Sequence, residues 1–237
     1  MSEPTLFGKE SLVEPYSNSH LGEWYELLSN NDIIQLNDIL KKVEGERRYR
    51  DVYPEADNVL RIFAAVPPQK VKVVILGQDP YHDGNANGFA FGCALQESPS
   101  LRQIKEGLKS CGYSVDKTFD NTLENWVKEG VFLLNTKLSV FKGSPNSHNF
   151  IGWDKFIEAT IRILKENNPN VVYVLLGTNA AVYSSLIGED AHIIKETHPA
   201  SASYNNTKWK TDLFLKINST LEKSGIKPVS WVIQTQN

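Results

Sequence analysis

Four short apolar runs, each closed by an abrupt polar loop, constrain this chain more than any other feature. The runs are Val71 to Leu76, Val131 to Leu134, Val171 to Leu176 and His192 to Thr197. They end at Gly77-Gln78-Asp79, Asn135-Thr136, Gly177-Thr178-Asn179 and His198-Pro199-Ala200-Ser201. The first run is rich in β-branched residues and short enough for a buried strand, and the other three repeat its pattern. Helical spacing fills the intervals. Ser100 to Lys109 begins on a Ser N-cap, and Trp153 to Asn167 carries Ile157, Ile161 and Leu164 on one face. Lys208 to Ser224 carries Trp209, Leu213, Ile217 and Leu221 before Gly225 as C-cap. Upstream, Trp24 to Lys42 reads as two short helices, and Pro54 to Ala65 as one helix ended by Pro67-Pro68. Strands alternating with helices imply an α/β fold, a three-layer sandwich with a central four-stranded parallel sheet flanked by helices.

A parallel sheet opens all its strand ends on one edge, where open α/β folds bind ligands. That gathers Asp79, Asn135, Gly177 and His198 into one crevice. The first loop is the densest, with Gln78, Asp79, Tyr81 and His82 within five residues. Two other readings of it stand open. It is a strand-to-helix turn punctuated by Pro80 and Gly84, or a carboxylate-imidazole metal site over Asp79 to Asp83. No second His/Cys cluster supports the metal, no Gly-Lys-Ser/Thr makes a Walker loop, and no G-x-S-x-G elbow offers a nucleophile. A carboxylate, an imidazole and a carboxamide suit cleavage of a bond whose transition state separates charge. The substrate stays open at this level.

Composition narrows the setting. The 237 residues show no interdomain linker, so one domain over 1–237 is expected, with 1–20 a surface arm. Cys93 and Cys111 are too few for a disulfide framework, the N-terminus lacks an apolar signal core, and no run reaches membrane-spanning length. The expectation is a soluble, non-secreted protein of the cytoplasm, or of the nucleus in a eukaryotic or viral setting. The net charge of −3 argues against nucleic acid, but residues 1–70 hold 8 Lys/Arg against 12 Asp/Glu. The remainder is therefore slightly basic, with Lys208, Lys210, Lys216, Lys223 and Lys227 as a local face able to meet phosphates.

Several motifs in order carry a resemblance. They are Val73 to His82 (VVILGQDPYH), Gly88 to Phe91 (GFAF), Pro99-Ser100-Leu101 and Gly130 to Asn135 (GVFLLN). Asn146-Ser147-His148, Gly152-Trp153, His198-Pro199 and the ending Leu221 to Trp231 follow. Over residues 50–231 the chain resembles the family-1 uracil-DNA glycosylases. The resemblance implies a monofunctional hydrolase, without metal or cofactor, that removes uracil from single- or double-stranded DNA and leaves an abasic site. It implies base flipping, a monomer, and leaves any protein inhibitor or replication partner open. By motif, Asp79 stabilises the sugar cation and handles water with His82, and neutral His198 steadies the uracil oxygen. Asn135 pairs with the base edge, Gln78 contributes its backbone, Phe91 stacks, and Tyr81 occupies the place of thymine's methyl. Ser100, Ser147, Gly177, Thr178, Ser201 and Ser203 correspond to DNA-backbone contacts. Two positions depart from the family. Ala202 stands where a leucine wedge is usual, with Tyr204 as a substitute, and Leu176 stands where a tryptophan is common. With the acidic first third, Ala202 motivates the alternative of a catalytically silent DNA-binding or replication-accessory module.

Overall fold

A computed structural model of the chain describes residues 9–232. The first described residues are tied down as an arm. Val13 N–H donates to Asn37 Oδ1 at 3.0 Å, and the buried Tyr16 donates to Glu44 Oε1 at 2.7 Å. Residues 1–8 of the expected arm lie outside the described part.

Two helices follow, α1 (Trp24–Leu27) and α2 (Asn30–Arg47). The second runs five residues beyond the expected end at Lys42, from a reciprocal cap between Ser29 and Asp32. After β1 (Val52–Tyr53), the segment expected as one helix is two, α3 (Ala56–Val59) and α4 (Arg61–Ala65). Leu60 breaks it with φ −106° and ψ 11°, outside helical geometry, and its side chain is fully buried.

Then come β2 (Val73–Gly77), α5 (Pro99–Ser110), α6 (Glu124–Lys128), β3 (Val131–Asn135) and β4 (Val140–Phe141). The N-cap of α5 is Ser98, which accepts the Leu101 N–H at 3.0 Å, so Ser100 is released from capping. The remaining elements are α7 (Trp153–Asn167), β5 (Val172–Leu176), α8 (Gly177–Ala181) and α9 (Ser184–Ile187), then β6 (His192–Glu196), α10 (Pro199–Tyr204) and α11 (Leu213–Lys223). The last helix starts later than Lys208. Trp209 N–H donates to Gln103 Oε1 at 2.9 Å and its indole to Thr197 at 3.1 Å, partners that hold 208–212 out of the helix.

The main sheet has the order β3-β2-β5-β6, every pair parallel, and β1 and β4 form a separate antiparallel pair. Every residue of β2, β3 and β5 is buried, as a parallel sheet covered on both faces requires. Trp24, Phe63, Phe132 and Phe156 pack ring against ring on one side, with centroids 5.0–5.4 Å apart. Trp126, Phe214 and Trp231 form a second aromatic group that seals the C-terminal segment. Among the described residues no helix is long and apolar enough to cross a membrane.

Candidate active site

The register pairs Gly77 with Asn135 at the carboxyl end of β2 and β3. Asp79 and His198 each lie two residues past the end of their strands. All of them face one edge, around a cavity of about 430 Å³, within the ~300–1,000 Å³ range of small-molecule sites. Its walls include Gln78, Asp79, Tyr81, His82, Phe91, Ser100, Asn135, His198, Ser201 and Tyr204.

Glycines let these walls close. A Cβ on Gly77 would overlap Asn135 Oδ1, so only glycine lets that carboxamide lie across the strand end. Gly177 has φ +79°, and a Cβ there would sit 3.0 Å from the Cβ of His198. Phe91 is buried with φ 66°, unusual for an aromatic residue, and this turn brings its ring to 5.5 Å from the His198 ring, centre to centre.

Asp79 is held at both oxygens. Gln78 Nε2 donates to Oδ1 at 3.2 Å, and the Asn146 N–H donates to Oδ2. Burial raises the Asp79 carboxyl above its ordinary value, opposed by the Asn146 N–H, His82, Gln78 and Lys137. Asn146 reaches it because its backbone is left-handed, φ 60°. The loop that carries Asn146 is braced from below. Ser139 Oγ accepts the Trp153 indole N–H at 2.8 Å, leaving its own proton for His148 Nδ1 at 2.7 Å. His148 is fully buried, and desolvation pulls its pKa down to about 4, so it stays neutral.

His198 Nδ1 accepts the Ala200 N–H at 3.1 Å. That nitrogen therefore carries a lone pair, and the neutral ring holds its proton on Nε2. Burial lowers the His198 pKa in the same direction. Asn135 is only 8% exposed, yet among the described residues its carboxamide bonds to no side chain or backbone group. The carboxamide opens on the cavity, where its accepting and donating ends are both free to meet a ligand. Tyr81 is fixed by its hydroxyl, 2.6 Å from Ser98 Oγ and 3.3 Å from Phe91 O, and burial keeps it protonated.

The structure does not bring every expected residue to the cavity. Ser147 Oγ accepts the Phe141 N–H at 2.8 Å, and Ser203 Oγ donates to Pro99 O at 3.3 Å. Thr178 is exposed at the start of α8, and Gly177 supports His198 from behind. Ala202 points inward, 7% exposed, so its side chain is withdrawn from the surface where a wedge would act. Its neighbour Tyr204 is 86% exposed at the cavity mouth. Asn146 and Ala200 act through backbone N–H groups, which leave no trace in residue type. Among the described residues no group of three His, Cys, Asp or Glu side chains is placed to hold a metal.

The class of protein follows from comparison with known sequences. The chain belongs to the Uracil DNA glycosylase superfamily, whose sequence model matches residues 63–222. Within it, the similarity is to proteins named uracil-DNA glycosylase. The Sulfurimonas denitrificans protein is 40% identical over 202 residues, covering 83% of this chain and 90% of the relative. The human cytomegalovirus (strain Merlin) protein is 32% identical over 232 residues, 94% of this chain and 93% of its own. The crystal structure of mimivirus uracil-DNA glycosylase shares the fold, with a TM-score of 0.74 at 22% identity over 96% of this chain and 95% of that one. A mimivirus variant in complex with UGI gives 0.79 at 22% identity, over 94% and 89%.

Proposed function

We propose that this chain hydrolyses the N-glycosidic bond of uracil in DNA, releasing uracil and leaving an abasic site for base excision repair. The observation that carries the reading is one cavity in which ionisable Asp79, neutral His198 and the unpaired Asn135 amide share walls with Phe91 and Tyr81. The target nucleotide leaves the stack to enter it, at a cost of a few kcal/mol. Phe91 stacks on the ring. Asn135 accepts the uracil N3–H and donates to O4, an order that cytosine reverses. Tyr81, locked by Ser98, fills the space of a 5-methyl group and so rejects thymine.

As the bond breaks, positive charge grows on the sugar and negative charge on the base. Asp79 stabilises the first, and the Nε2 proton of His198 meets the second. Water adds its hydroxyl to C1′, with Asp79 taking the proton and His82 helping to hold the water. No metal or cofactor enters these steps. Ser100 and Ser201, which line the cavity, take the DNA-backbone phosphates nearest the extruded nucleotide, with Ser147, Ser203, Gly177 and Thr178 assigned to more distant backbone contacts. Tyr204 takes the wedge role that Ala202 is too small and too buried to serve. The working unit is a monomer formed by one domain, in the cytoplasm or a nucleus, and the UGI complex of the mimivirus relative makes an inhibitor of that kind a partner to test.

Incubation with uracil-containing single- and double-stranded oligonucleotides, followed by alkali, is the direct test. Strand cleavage at the uracil is expected, and none on either substrate refutes the reading.

A further inference from the structure

The carboxylate of Asp79 is not reached by Gln78 alone. Asn179, the third residue of α8, donates from Nδ2 to Gln78 Oε1 at 2.5 Å, and Gln78 donates from Nε2 to Asp79 Oδ1 at 3.2 Å. A carboxamide has one accepting end and one donating end. A donor at the oxygen end therefore decides that the NH₂ end faces the carboxylate. Were the amide turned, its oxygen would confront Asp79, exchanging an attraction for a repulsion.

The two neighbours of Gln78 stand on different sides of it. Gln78 lines the catalytic cavity and also a second cavity of about 240 Å³, which Asn146, Asn149 and Asn179 share. Asn179 is absent from the walls of the first. It does not meet a base bound there, and its effect on the reaction passes through another side chain. We infer that Asn179 is a positioning residue, which sets the orientation of the Gln78 carboxamide and thereby the hydrogen bond that holds Asp79.

The activity arm of the test rests on the proposed glycosylase function, and the second arm does not. The variants are Asn179→Ala and Asn179→Asp, each alone and with Gln78→Met. Asn179→Ala frees the amide to turn, whereas Asn179→Asp, nearly the same shape, accepts from Gln78 and turns it the wrong way. Uracil release should therefore fall in the order wild type, Ala, Asp, with the Asp variant down about 10-fold in kcat, the scale of one hydrogen bond to a charge. KM should hardly move, and the acidic limb of the pH profile should shift upward, furthest in Asp. With Gln78→Met there is no amide to turn, and Ala and Asp at 179 should become equal.

Carbon-detected NMR titration of Asp79, without DNA, should give the same order of rising carboxyl pKa. Equal behaviour of Asn179→Ala and wild type in that titration overturns the relay. So does an Asp penalty that persists beside Gln78→Met, which marks plain charge repulsion. A wild-type protein that releases no uracil refutes the glycosylase reading, while the titration still decides the relay.

Discussion

Strands β2 and β6 belong to one sheet and deliver the two chemical ends of the crevice, yet they are secured differently. β2 is interior, paired on both sides and wholly buried. Asp79 beyond it has a donor on each oxygen. β6 is an edge strand paired only with β5, and His192 and Lys195 are exposed along it. His198 beyond it is fixed by the close approach of Gly177, the Phe91 ring and one backbone N–H. The acid is held by hydrogen bonds to its charge, the imidazole by steric fit. Changes of polarity should therefore hurt the Asp79 side most, and changes of volume the His198 side.

The largest effect should come from removing the charge without changing the shape. Asp79→Asn is expected to lower uracil release by about 10³-fold while thermal unfolding stays near wild type. The reaction needs the ionised form, so the wild-type rate should fall as pH drops through an Asp79 pKa that burial raises above the ordinary aspartate value. Wild-type turnover in the Asn variant would remove Asp79 from the chemistry. His198→Leu should cost about 10²-fold, the typical worth of one donor to a developing anion. A single-turnover assay separates that loss from weaker binding.

Volume comes next. Gly177→Ala places a methyl 3.0 Å from the His198 Cβ on a left-handed backbone and should cost about 10-fold in kcat through misplacement. Gly77→Ala displaces the Asn135 amide instead, so its effect should appear in KM. The comparison fails if both glycine variants alter the same constant. The smallest effect belongs to the rim. Tyr204→Ala should slow release from duplex DNA a few-fold and leave single strands unchanged, since only a stacked base needs a wedge.

Much of this frame was legible in the sequence because parallel strands buried on both faces leave continuous apolar runs, as Val73 to Leu76 and Val172 to Leu176 do. Asp79, Asn135 and His198 were legible because strand ends on a parallel sheet must share an edge. What escaped had no side-chain signature or depended on tertiary contacts. The Asn146 and Ala200 donors are backbone groups. The break at Leu60 follows the demand of the core, and the late start of α11 follows side-chain partners more than 100 residues away in sequence, such as Gln103 for Trp209. Ser98 and Ser100 both suit a cap, and only geometry separates them.

The solitary Asn135 carboxamide has a thermodynamic counterpart. A ligand that binds the folded chain and not the unfolded one raises its stability by mass action, so occupancy of the cavity and melting temperature are linked. Free uracil, the leaving product, should raise the unfolding temperature with the logarithm of its concentration, and Asn135→Ala should abolish that rise. Held by the same atoms as the substrate base, the product competes with it for the cavity, so added uracil should slow turnover in proportion to its occupancy.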